Sequence, residues 1–120
     1  MAEGYKADEL KARSKRFALA IIKLFRELPR TEEARILGRQ LLRSGTSVAA
    51  NYRAACRARS KAEFIAKLGV VVEEIDETVF WIELLAESAI FPQERLKNVE
   101  AEANELLAIF AASRYTAKNR

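Results

Sequence analysis

From Gln40 to Phe64 the chain reads Gln-Leu-Leu-Arg-Ser-Gly-Thr-Ser-Val-Ala-Ala-Asn-Tyr-Arg-Ala-Ala-Cys-Arg-Ala-Arg-Ser-Lys-Ala-Glu-Phe without a proline. At about 100° per residue, Gln40, Ser44, Ser47 and Asn51 fall along one edge of a helix and the arginines along another. The stretch closes on Ser60 and Glu63, the spacing of a capping box, in which each side chain bonds the other residue's backbone N–H. One long helix that runs almost directly into the start of the next leaves little room for strands. The rest of the chain agrees: its 120 residues hold four glycines and two prolines, so helix breakers are scarce. The length fits a single domain over residues 1–120.

Apolar periodicity places four helices at about 8–28, 31–58, 60–90 and 92–115. In the first, Leu10, Phe17, Ile21, Leu24 and Leu28 share a face, with Asp8 as N-cap, while Lys15, Arg16, Lys23 and Arg26 point away. Pro29 ends it. The second starts at Thr31 and puts Leu37, Leu41, Val48, Tyr52 and Ala55 inward. Gly45, in mid-helix, costs about 1 kcal/mol against alanine, which a close helix–helix approach would offset. In the third, Phe64, Leu68, Val71, Ile75, Val79, Ile82 and Ala86 form the core face. Phe80, Trp81 and Leu84, with Val70, point elsewhere, and a helix apolar on two sides is expected to be buried on both. These four residues are therefore read as an oligomer interface rather than a ligand pocket. The fourth helix opens near Pro92, repeats through Leu96, Val99, Ala103, Leu106 and Phe110, and ends in a frayed tail from Thr116 to Arg120. Short connections favour antiparallel neighbours, hence an all-α, up-down-up-down bundle.

Charge is unevenly placed. Residues 31–59 carry six basic and two acidic groups, whereas residues 60–91 carry two basic and seven acidic. Either a nucleic-acid face or a basic helix pairing with an acidic one accounts for this. The nucleic-acid candidates are Arg35, Arg39, Arg43, Arg53 and Arg57, joined by Lys15, Lys23 and Arg26, because guanidinium groups grip phosphate in a planar fork. No aromatic residue is interleaved with the arginines of helix two, so single-strand stacking is not indicated. The polar edge Gln40, Ser44, Ser47 and Asn51 is read as a structural network. Its partners are Glu73 or Glu74 across the helices, since buried polar groups need hydrogen-bond partners. The carboxylates Glu73, Glu74, Asp76, Glu77, Glu83 and Glu87 read as a salt-bridged helix face before a metal or acid–base site.

The chain has no histidine and one cysteine, Cys56. That removes Ser-His-Asp and Cys-His catalysis, di-iron Glu-x-x-His pairs and zinc. Ser44-Gly45-Thr46 lies within a helix and lacks the pattern of a phosphate loop. No cofactor, metal or small-molecule substrate is expected, and no enzymatic activity. Cys56 reads as a small residue at the core margin. No apolar run spans a membrane and residues 1–10 lack a signal core, so a cytoplasmic location is expected.

Leu28-Pro29, Gln40-Leu41, Arg43-Ser44, Ser47, Asn51, Arg59-Ser60 and Glu63-Phe64 together resemble the 23S rRNA intervening-sequence protein family, over roughly Phe17 to Phe110. The resemblance implies a four-helix bundle that assembles as a ring-shaped homopentamer. Some members are encoded within insertions in bacterial large-subunit rRNA genes. A related branch, the accessory variability proteins of diversity-generating retroelements, works with a reverse transcriptase and its RNA. It therefore implies self-association, with structured RNA or a reverse transcriptase as partner. Where the family carries a Glu-Gly pair after the asparagine, this chain has Ala54 and Ala55. Two functions follow: an RNA-associated accessory or scaffold protein using the basic surface of helices one and two, or a homo-oligomeric protein–protein interaction module with no nucleic-acid role.

Overall fold

In the computed structural model, residues 4–120 are described and the regular elements among them are four helices: α1 (Gly4–Glu27), α2 (Glu32–Cys56), α3 (Lys61–Glu87) and α4 (Gln93–Lys118). A helix of 25 residues such as α2 is about 37 Å long at about 1.5 Å per residue. The intervening segments of four or five residues cannot return along that length, so each helix runs antiparallel to the one before it. The body measures 46 × 20 × 20 Å, which is one helix long and two helices wide.

Local chemistry sets most boundaries. Pro29 has no N–H to continue α1. Thr31 caps α2: its backbone is extended (φ −84°, ψ 160°) and its hydroxyl accepts from the Ala34 N–H at 3.3 Å. Ser60 does the same for α3, accepting from the Glu63 N–H at 3.0 Å. Only this half of the expected capping box forms, because the Glu63 carboxylate stands 3.9 Å from Arg59 Nε. α3 stops at Glu87, before the expected 90, because Ala89 turns left-handed at φ 61°. The turn folds Phe91 back into the core, 3% exposed, with its N–H on the Leu85 carbonyl.

Three expectations at helix ends are corrected. Asp8 is not an N-cap, since α1 already runs from Gly4. Asp8 sits inside the helix and pairs with Lys11 at 3.3 Å. Pro92 occupies the position before α4 rather than its first turn, with extended backbone at ψ 128°. The tail from Thr116 is helical to Lys118, held by Ala117 against the core and by the Lys61 ammonium donating to the Arg120 carbonyl.

One core runs the length of the bundle through Ile21, Leu41, Val48, Tyr52, Leu68, Ile75, Ile82, Leu106 and Phe110, all essentially inaccessible. Each such side chain contributes about 1.5–3 kcal/mol by burial. Tyr52 and Phe110 meet with ring centroids 5.0 Å apart, joining α2 to α4. Glycines allow α1 to lie close on α2: a Cβ at Gly45 would stand 2.9 Å from Ile21 Cγ1, and one at Gly38 2.8 Å from Leu28 Cδ1. α1 and α4 meet least closely. They are tied near mid-length by Arg13 to Glu102 and Glu105, at 2.7 and 2.8 Å, and at one end by Arg95 to Glu27 at 2.8 Å.

A candidate nucleic-acid interface

The polar edge of α2 divides once folded. Ser44 is fully buried, donates to the Leu41 carbonyl and accepts from Thr78 of α3 at 2.9 Å. Thr78, itself buried, also bonds the Glu74 carbonyl at 2.7 Å. Asn51 bonds the Ser47 carbonyl within α2 at 2.8 Å, and Gln40 and Glu73 are exposed. The inter-helix network is therefore Ser44–Thr78 with Arg43–Glu74. Gln40, Ser47, Asn51 and Glu73 take no part in it across the helices. Thr78 was not foreseen, although a threonine one helical turn from Ile75, among core positions, was a visible signal.

Arg43 is the exception among the candidate phosphate-binding cations. Its guanidinium reaches α3, meeting Glu74 at 3.2 Å and Glu77 at 2.5 Å. The hydrogen bonds it donates to Glu77 and then to Glu74 raise its pKa further, and its charge is neutralised where it stands. Glu77 also accepts from the Trp81 indole N–H at 2.9 Å. That bond first, and Arg43 second, holds the Glu77 carboxyl below its ordinary range. Arg43 thus belongs to the α2–α3 contact. Basic α2 does pair with acidic α3, but at this one point and within a single chain.

Arg35, Arg39, Arg53, Arg57, Lys15, Lys23 and Arg26 are exposed, and among the described residues none of them has a carboxylate within 4.0 Å. They do not form one continuous stripe. Arg26, Arg35 and Arg39 converge with Arg30 on a cleft of about 440 Å³ at the α1–α2 turn, walled by Phe25, Leu28 and Pro29. Arg53 and Arg57 lie about 27 Å further along α2, at the other end of the bundle. Arg30 was overlooked in the sequence because it stands in the connection rather than on a helix face, yet its position between two basic helices marks it. Among the described residues no acidic one lines the cleft. The adjacent first turn of α2 adds backbone N–H dipoles that favour an anion, partly offset by Glu32 and Glu33 in the same turn.

A second cleft, of about 740 Å³, opens at the opposite end between α1 and α4, over Leu10, Tyr52, Phe64 and Ile109. Of the four cations that line it, Arg13 holds two glutamates, whose acceptance of its hydrogen bonds raises its pKa, and Lys61 donates to the Arg120 carbonyl. Burial pushes the Tyr52 phenol pKa up, so it stays neutral.

On the acidic helix, Val70 and Phe80 are 41% and 49% exposed. Trp81 and Leu84 are half-buried, and Trp81 packs on its own core as well as edge-on against Phe80, with centroids 5.1 Å apart. Cys56 is half-buried beside the core and unpaired. Among the described residues no group of three His, Cys, Asp or Glu stands close enough to hold a metal ion, and no helix is long and apolar enough to cross a membrane.

These features define an all-helical, net-basic protein whose surface chemistry is concentrated in arginines. Its class is specific: the chain belongs to the 23S rRNA-intervening sequence protein family, which matches over residues 6–112. A solved structure from Bacteroides thetaiotaomicron, of a protein of unknown function from the S23 ribosomal protein family, is similar to it at 32% identity. That likeness covers 92% of this chain and 98% of the other, with a TM-score of 0.84. No curated protein matches.

Proposed function

We propose that this protein is a non-enzymatic, RNA-associated accessory or scaffold protein of the cytoplasm. It binds phosphates through the basic surface of α1 and α2, with the cleft at their turn as the principal contact. The observation that carries this reading is the convergence of Arg26, Arg30, Arg35 and Arg39 on one cleft that, among the described residues, no carboxylate lines. A charge cluster that served only folding would be neutralised, as Arg43 is by Glu74 and Glu77. The family's tie to rRNA genes supports RNA as the phosphate source, and the lack of histidine supports binding over catalysis.

The test is the salt dependence of binding to a structured RNA. The logarithm of affinity falls linearly with the logarithm of salt, by roughly one unit of slope per phosphate contact. Arg35→Glu with Arg39→Glu is expected to flatten that slope by about two units and to weaken binding more than Arg53→Glu with Arg57→Glu. A wild-type protein with no salt-sensitive RNA binding refutes the reading.

A second reading, self-association, has its own support. Val70, Phe80, Trp81 and Leu84 fall within about 100° of the α3 circumference; of the two carboxylates in that arc, Glu77 is neutralised and Glu73 is exposed. A ring needs a second, dissimilar patch. Leu19 on α1 and Ile36 on α2, 58% and 52% exposed, are apolar candidates for it at separate levels of the bundle. A ring-shaped homo-oligomer, as the family resemblance implies, would repeat the arginine cleft around its axis and raise a weak site by avidity.

A further inference from the structure

Folding brings an aromatic ring into the arginine cleft from another helix. Phe25 belongs to α1, on the side that packs over Gly38 of α2. Its ring carbons come within 3.2 and 3.3 Å of where a Cβ on Gly38 would stand, so the missing side chain is what seats the ring there. The ring is half-buried against the core, and it lines the same cleft as Arg26, Arg30, Arg35 and Arg39. A phenyl surface beside four guanidinium groups is the chemical pairing that single-stranded nucleic acid requires, a stacking platform next to an anion track.

We infer that the cleft holds an unpaired nucleotide of a single RNA strand, its base against Phe25 and its flanking phosphates on the arginines. This rests on the RNA-associated reading above and narrows it. The volume of about 440 Å³ lies at the lower end of the range for small-molecule sites, about 300–1,000 Å³, and suits one nucleotide. A duplex stacks its bases inward and presents phosphates outward, so it can engage the arginines but cannot bring a base to Phe25. The guanidinium plane is also a stacking surface for bases and an adaptable fork for phosphate, which lysine is not. The cleft contains arginine alone among the basic residues.

The test uses fluorescence anisotropy with a labelled single-stranded RNA and a blunt duplex of equal length, both at low salt. Wild-type protein is expected to prefer the single strand. Phe25→Leu lowers single-strand affinity about tenfold and leaves the duplex unchanged, whereas Phe25→Tyr, which keeps a ring, retains the preference. Arg35→Glu with Arg39→Glu weakens both ligands. Because Phe25 also touches the core, helicity and melting temperature are measured for each variant, and the tyrosine variant serves as the folded control. If Phe25→Leu leaves single-strand affinity unchanged, or lowers both ligands alike, while the arginine variant still abolishes binding, the nucleotide site is overturned and RNA association stands. Displacement by a free mononucleotide at the concentration of the strand overturns a strand site in favour of a nucleotide ligand. Absence of any salt-sensitive binding to either RNA overturns both readings together.

Discussion

Replacing Gly45 by alanine tests how closely α1 lies on α2. Two effects oppose each other. Alanine is a better helix former in mid-helix by about 1 kcal/mol. The new Cβ, however, would stand 2.9 Å from Ile21 Cγ1 and 3.0 Å from Cγ2. Ile21 is fully buried and β-branched, so its χ1 cannot turn the clash aside. Overpacking of this kind costs about 1–3 kcal/mol, which leaves Gly45→Ala destabilising by about 1 kcal/mol net. Gly69 is the internal control, since its nearest neighbour is Arg114 Nε at 3.0 Å, the far end of a flexible chain in α4. Gly69→Ala therefore keeps most of the propensity gain and stabilises by about 0.5–1 kcal/mol. Urea unfolding followed by far-ultraviolet circular dichroism reads both, at one fixed protein concentration because self-association would shift the midpoint. The decisive step is the Ile21→Ala background. That change alone costs about 2–5 kcal/mol, but it deletes the clashing γ carbons, so Gly45→Ala becomes stabilising by about 1 kcal/mol within it. If Gly45→Ala stabilises the wild-type protein as much as Gly69→Ala does, or if its effect keeps its sign in that background, the close approach is refuted.

Two further perturbations address α3. Arg43→Met keeps the aliphatic stem and removes the bridge to Glu74 and Glu77. At neutral pH it is expected to cost under about 1 kcal/mol, because Arg43 is 49% and Glu77 36% exposed. The Glu77 pKa is depressed in the fold, so the stabilisation is present above the ordinary carboxyl range and is lost as pH falls through the lowered value. Wild-type and variant urea midpoints therefore converge as pH falls through that lowered value, and a gap that persists once the carboxylates are protonated rules the ion pair out as the cause. Phe80→Glu adds a charge to the exposed part of the α3 stripe without touching the core. It is expected to reduce the mass seen by light scattering to that of the 13.6 kDa chain, and an unchanged oligomer removes Phe80 from the contact.

The helices were legible because each carries its own period. Phe17, Ile21, Leu24 and Leu28, or Leu41, Val48 and Tyr52, need only local spacing to be placed inward, and they are buried. Caps with side-chain oxygens, Thr31 and Ser60, were legible for the same reason. Ends set by tertiary packing were not. The Thr116–Lys118 turn is held by contacts to the core and to Lys61, which stands in another helix. The polar contacts between helices depend on their register. Arg13 meets Glu102 across a separation of 89 residues, and Ser44 meets Thr78 across 34. No one-dimensional pattern contains those pairings.

The same distinction governs the cations. Reading α2 alone makes Arg35, Arg39, Arg43, Arg53 and Arg57 equivalent members of one stripe. Folding sorts them by what stands opposite. Arg43 faces Glu74 and Glu77 and is neutralised. Arg53 and Arg57 are exposed at the far end, away from any acid within ion-pair reach among the described residues. Arg35 and Arg39 are joined by Arg26 and Arg30, which no pattern on α2 includes, and by Phe25. Gly38 makes that convergence possible. A Cβ there would push on Leu28 and Phe25, lift the end of α1 from α2 and open the cleft. Gly38 is thus a condition for the arginines to act at one place.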